Sequence, residues 1–337
     1  MPRDFGYINA RIHGLRSRLL GQDFYSEALN ATDFKAYTSI LAQTPYLPEV
    51  EEAQSRFQGI KIVDQAVGRN FYKTARSILN FSEGRAGELI SLLLLRYDLN
   101  NIKAITRAKH SGRSTVDIEA GLLPAGSLKP AVLEAVASAP DIGGVAQALL
   151  ITKTPLKGAF FAAAMRYSSD GDLYLLELAL DKAYFKIIFK SLKELRAPKR
   201  FFRLAKREVD ATNLTTALSV RSGSGLTEGL FVGGGLEIGR SAFETLASDT
   251  SSSAFQVLSG TSFAGVADAA SLSEAETLIR AVMAGHARGL AADALNIGLA
   301  ANYLRLKEAE VAKLRLLARG KYYGVAREVL AKELGDA

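Results

Sequence analysis

One set of residues occurs three times along this chain at a spacing of about 108 residues, and a chain built that way folds as copies of one unit rather than as unrelated domains. Leu41-x-x-Thr44-Pro45 returns as Ile151-x-x-Thr154-Pro155 and, more loosely, as Leu258-x-x-Thr261-Ser262. Ala125-Gly126-Ser127-Leu128 returns as Gly233-Gly234-Gly235-Leu236. A third landmark carries more chemistry. Asp98 is followed by Asn101 and Ile102, and Asp210 by Asn213 and Leu214. Both segments run on to a base, Lys109 or Arg221, and then to Gly112 or Gly223. In the last copy Glu308 takes the acidic place, Val311 replaces the Asn, and Arg319-Gly320 closes the segment. These recurrences divide the chain into modules near 1–120, 121–225 and 226–337.

The modules read as helical. Leu92, Leu95, Leu99 and Ile102 fall at spacings of three and four, which makes one apolar stripe. Leu214, Ala217 and Leu218 continue that stripe in the second copy. A base followed by Gly suits a helix C-terminus, where the cation meets the negative end of the dipole and Gly accepts left-handed backbone. Asn is a poor residue for an exposed mid-helix site, so its recurrence at Asn101 and Asn213 predicts a buried amide bonded to a loop or a neighbouring helix. No run of β-branched residues alternates far enough for a strand. The expected fold is all-α, with extra helices from Phe5 to Leu20 and from Glu308 to Leu334. Three such modules can pack in pseudo-threefold fashion into a funnel or cup. The Gly-rich stretch from Gly223 to Gly239 reads as the connector between the second and third modules.

Catalytic signatures are missing. There is no G-x-x-x-x-G-K-[ST] loop, no H-E-x-x-H and no G-x-S-x-G elbow. Gly223-Ser224-Gly225 and Gly233-Gly234-Gly235 lack the flanking strand and Lys that a phosphate cradle needs. Cysteine is absent, which removes disulfides and thiolate chemistry. His13, His110 and His286 are read as surface or capping residues, not metal ligands. No cofactor, metal or catalytic residue is expected, and the chain is not expected to be an enzyme. Apolar runs such as Leu92–Leu95 fall far short of a bilayer span, and the opening Met1-Pro2-Arg3-Asp4 has no signal-peptide character.

The formal net charge of +7 favours an acidic partner: a protein surface, an anionic membrane face or nucleic acid. The densest basic segment runs from Lys193 to Arg207, with Phe201 and Phe202 between the charges. It fits an acidic protein surface, nucleic acid, or simply a solvated helix pair joined near Pro198. The three basic helix ends, at Lys109, Arg113, Arg221, Arg319 and Lys321, are candidates for a cationic ring presented to a partner.

Phe5-Gly6-Tyr7-Ile8-Asn9-Ala10-Arg11 and the block from Leu92 through Arg96, Asp98, Asn101 and Lys103 resemble the C subunit of bacterial and archaeal V/A-type ATPases, the counterpart of the eukaryotic d subunit. Glu208 to Leu214 and Leu314 to Arg319 also fit, and the likeness runs from about residue 4 to 327. The resemblance implies a non-catalytic, all-α funnel of three subdomains on the cytoplasmic mouth of the membrane proteolipid ring. It implies a cavity that receives the central shaft made of the D and F subunits, and a rotor that passes torque between ATP synthesis or hydrolysis and proton transport. It also implies a cytoplasmic, peripheral position on the cell membrane without insertion, and a monomer when isolated. The competing reading is a basic helical scaffold that binds nucleic acid.

Overall fold

Asp33 and Asp141 occupy the same place in successive repeats and do the same work. Each precedes a helix with extended backbone and accepts the N–H three residues on, Ala36 at 2.8 Å and Gly144 at 2.7 Å. Caps of this kind contribute about 1 kcal/mol each. Asp172 and Ser271 cap two of the long helices by the same device.

The computed structural model describes residues 3–119, 121–221, 229–292 and 297–336. Among them there is no strand, and the all-α expectation holds. The order is α1 (Arg3–Arg16), α2 (Gln22–Asn30), α3 (Phe34–Leu41), α4 (Leu47–Gln54), α5 (Ile60–Asn80), α6 (Gly84–His110) and α7 (Thr115–Glu119). Then come α8 (Pro130–Ala137), α9 (Ile142–Leu150), α10 (Lys157–Asp170), α11 (Leu173–Glu194) and α12 (Lys199–Val220). The last part has α13 (Arg240–Ser248), 3-10 turns at Ser252–Leu258 and Ala264–Asp268, α14 (Leu272–Ala291), α15 (Gly298–Tyr322) and α16 (Arg327–Asp336).

Three long pairs stand out: α5 with α6, α11 with α12, and α14 with α15. Short helices or 3-10 turns precede each pair. The pairs also pack on one another in a cycle, α6 against α11, α12 against α14, and α15 back against α5. One core of buried aliphatic and aromatic side chains runs through all of them.

Three register assignments from sequence are corrected. The turn equivalent to Leu41–Thr44 is Leu149–Thr152, not Ile151–Thr154. Leu41, Leu149 and Leu258 are all fully buried, whereas Ile151 is 91% exposed. Thr44, Thr152 and Thr261 each donate their hydroxyl to the leucine carbonyl three residues back. The single closing helix from Glu308 to Leu334 is two helices, α15 and α16, broken around Gly324, which has a φ of +67°. Gly320 therefore ends nothing: it is buried inside α15, where Leu330 of α16 lies so close that a Cβ would fall 2.2 Å from it. The expected helix end at Gly223, the Gly223-Ser224-Gly225 stretch and the division points near 120 and 225 lie outside the described residues.

Candidate functional site

Asp98 sits midway along α6 and is fully buried. Its carboxylate accepts the N–H groups of Ser127 and Leu128, both at 3.0 Å, and the Ser127 hydroxyl at 2.5 Å. One turn on, Asn101 clasps Leu123: its amide donates to the carbonyl at 2.7 Å and its oxygen accepts the N–H at 2.8 Å. The second repeat uses the same device. Asp210 accepts Leu236, Glu237 and Ile238 N–H groups at 2.9–3.0 Å, and Asn213 clasps Val232 at 2.8 and 2.9 Å. The buried amides behave as the sequence predicts. Gly126 and Gly235 are required by close approach, because a Cβ there would lie 2.0 Å from Asp98 Oδ1 and 2.1 Å from Asp210 Oδ1. Burial pushes both carboxyls above the ordinary Asp range, and the hydrogen bonds pull the other way.

In the third repeat the acid that grips the equivalent loop is Glu310, two residues beyond the expected Glu308. Glu310 accepts the Leu20 N–H at 2.6 Å, the Tyr46 hydroxyl at 2.7 Å and Lys307 Nζ at 2.7 Å. Leu20, Leu128 and Leu236 thus present the same N–H to three successive helices, and the last of these contacts joins the end of the chain to its beginning.

Glu308 belongs elsewhere. Arg96, Glu208 and Glu308 each stand two residues before the gripping acid, on α6, α12 and α15. These three helices converge on a narrow cavity of about 30 Å³ lined by Leu92, Leu204, Leu304, Arg96, Glu208 and Arg305. That space admits about one water. Arg305 pairs with Glu208 at 2.6 Å, Arg96 stands 3.8 Å from Glu208, and Tyr97 donates to Glu308 at 3.2 Å. Two cations meet two anions, so the cluster is neutral. Desolvation opposes the charge on Arg96, but Glu308 and Glu208 outweigh it and hold the guanidinium firmly protonated. Burial and the proximity of Arg96 work against the charge on Arg305. Sequence reasoning missed this cluster. Its one signal was its fixed place before the recurrent acid.

The expected ring cations are placed as follows. Lys109 is half-buried near the end of α6, and Arg113 is exposed just past it. Arg221 caps α12, donates to the Ser251 carbonyl at 2.5 Å and lies 4.4 Å over the Phe255 ring. Arg319 pairs with Asp64 at 3.1 Å, and Lys321 donates to the Leu29 carbonyl at 2.8 Å. Each lies at or next to the C-terminal end of a long helix, and among the described residues no hydrogen bond or ion pair joins one end to another.

In the basic segment, α11 ends at Glu194 and α12 begins at Lys199, with Arg85 of α6 donating to the carbonyls of Leu195 and Arg196 between them. Lys193, Lys199, Arg200 and Arg203 are exposed. Phe201 is buried and Phe202 stacks on Phe189, so the interleaved aromatics are part of the core and not platforms for bases. His13 and His110 are exposed, and His110 meets the Tyr167 hydroxyl at 2.7 Å. His286 is half-buried inside α14. No cluster of potential metal ligands occurs among the described residues, and none of their helices is long and apolar enough to cross a membrane.

These features define an all-helical, repeat-built protein in which several buried polar groups grip the chain's own backbone and others form internal ion pairs. The chain belongs to the ATP synthase (C/AC39) subunit family, whose model matches residues 8–333. It is similar to the V-type ATP synthase C subunit of Thermus thermophilus, 35% identical over 335 residues and covering 99% of each chain. The V-type ATP synthase C subunit of Deinococcus radiodurans is 32% identical over 336 residues, covering 99% of this chain and 92% of that one. The A-type ATP synthase C subunit of Haloferax volcanii is 27% identical over 349 residues, covering 97% and 96%. The chain is accordingly a non-catalytic subunit of a rotary ATP synthase.

Proposed function

We propose that this protein is the rotor adaptor of a V-type proton-translocating ATP synthase, a socket that couples a central shaft of the D and F subunits to the membrane proteolipid ring. The observation that carries this reading is the cyclic packing of α6 on α11, α12 on α14 and α15 on α5, with Arg96, Glu208 and Arg305 lining a small cavity between α6, α12 and α15. A closed cycle of long helices resists twisting better than an open stack, because no hairpin can turn without disturbing both neighbours. Three modules, near 1–120, 121–225 and 226–337, form a funnel with pseudo-threefold character in this reading. The basic helix ends at Lys109, Arg113, Arg221, Arg319 and Lys321 face a partner as a cationic ring. The adaptor works at the cytoplasmic face of the membrane, does not insert into it, and is monomeric when isolated.

The test is reconstitution. The purified protein should bind a D–F shaft complex and a proteolipid ring at low salt, and adding it to complexes that lack it should restore ATP-driven proton pumping without changing hydrolysis by the isolated head. Failure to bind either partner would refute the adaptor role. Reversing the charge of two of the five ring cations should weaken assembly while leaving the helical content intact.

A further inference from the structure

A cleft of about 330 Å³ opens between the end of α2 and the break between α15 and α16, with Lys321 and Arg327 among its lining residues. Its other walls are Leu29 to Thr32, Gly320, Gly324 and Val325, so no carboxylate lines it. The cleft is held in shape from below. Leu330, 2% exposed, packs directly on Gly320, which fixes α16 against α15 and keeps Arg327 beside Lys321.

The two cations have only neutral acceptors. Lys321 Nζ donates to the Leu29 carbonyl at 2.8 Å, and Arg327 Nε donates to Asn30 Oδ1 at 3.0 Å. Four other cations of α15 are matched, Arg315 and Arg319 with Asp64, Lys307 with Glu310 and Arg305 with Glu208, and Lys313 lies 5.7 Å from the Tyr25 ring. Neither Lys321 nor Arg327 joins an ion pair among the described residues. Two acids adjoin the lining residues in sequence, Asp33 and Glu328; Asp33 spends its Oδ1 on the Ala36 N–H, and among the described residues neither acid pairs with Lys321 or Arg327. Burial and the positive charge of Arg327 both work against the Lys321 ammonium. Two adjacent like charges without a counter-ion cost free energy that an entering anion would relieve.

We propose that this cleft is a docking pocket for a carboxylate presented by an acidic partner protein. The rim favours a protein over a free ion. Tyr322 and Tyr323, directly after Lys321, are 50% and 70% exposed and meet edge to face at 5.2 Å, and Val329, two residues past Arg327, is 52% exposed. An acidic side chain can reach the two cations while its neighbours cover these apolar groups, the usual layout of a polar anchor inside an aromatic contact. The planar guanidinium of Arg327 and the ammonium of Lys321 suit one carboxylate held from two sides. The proposal deepens the adaptor reading, since one member of a larger assembly needs such anchors.

The test uses a fluorescein-labelled hexaglutamate peptide and the full chain at low salt, read by anisotropy. Wild type should bind the peptide, and a Lys321→Ala/Arg327→Ala variant should bind it about ten-fold more weakly. A Lys199→Ala/Arg200→Ala variant at the other basic surface should lose less. Lys321→Gln alone should give an intermediate loss, and it serves as the readout should the double variant unfold. Equal binding by wild type and the Lys321/Arg327 variants would overturn the pocket. Displacement of the peptide by inorganic phosphate at equal concentration would overturn the carboxylate assignment in favour of a phosphate site. The measurement needs neither shaft nor ring, so its failure is separate from failure of the adaptor reading.

Discussion

The three loop grips differ in one respect that matters. Asp98 and Asp210 hold loops about 30 residues further along the chain, contacts whose closure entropy is small. Glu310 holds Leu20, 290 residues away. The first two use a short acid with an Asn one turn on. The third uses a longer acid, a buried Lys307 and the Tyr46 hydroxyl, and the place of the Asn is taken by Lys313, whose ammonium lies 5.7 Å from the Tyr25 ring. The local grips shape a loop. The distant one closes the cycle, and it is the one that carries a buried charge pair.

Glu310→Ala should therefore be the most damaging change. Lys307 and Glu310 are 5% and 4% exposed, and removing one partner of such a pair costs about 3–5 kcal/mol. Urea unfolding monitored by circular dichroism measures it, and a loss no larger than that of Asn213→Ala would erase the distinction between the two kinds of grip. Gly235→Ala should come next, at about 1–3 kcal/mol, because the new methyl would overlap Asp210. Gly239→Ala, with open space at its Cβ, is the control and should stay near wild type. Asn213→Ala leaves the Val232 N–H and carbonyl unpaired and should cost about 1–3 kcal/mol. An equal loss for Asn101→Ala would confirm that the two local grips are interchangeable.

The smallest expected effect is a pH dependence. His286 on α14 faces Arg207 and Arg203 as well as Glu237, and burial, reinforced by Arg207, lowers its pKa below the usual 6.5. The unfolded chain then takes up a proton that the folded chain refuses. Stability from this group is complete above pH 6.5 and is lost as pH falls through and below it. His286→Gln should flatten that slope in melts recorded across the window. An unchanged slope would assign it to other groups.

Much of this was legible in the residues. An amide in mid-helix is conspicuous because it is costly unless bonded, and Asn101 and Asn213 gave away both local grips. Gly126, two residues before Leu128, and Gly235, just before Leu236, marked two of the three gripped loops, and Leu20 has no such Gly. The third copy was misread by two residues because Glu308 and Glu310 are the same residue type, and only packing tells which one faces Leu20. Ile151 was matched to Leu41 for a similar reason: two aliphatic residues two apart look alike until one is found in solvent. The charge cluster had only one faint signature, its place two residues before each gripping acid. Arg96, Glu208 and Arg305 acquire meaning only when helices about 100 residues apart along the chain meet.

That cluster has a geometric consequence. Had all three helices carried the same residue where α6 has Arg96 and the others have Glu, three like charges would have been brought together with no counter-ion among them. With one arginine against two glutamates, and Arg305 on one helix only, each of the three helices meets the others through a different set of charges, so none can take another's place.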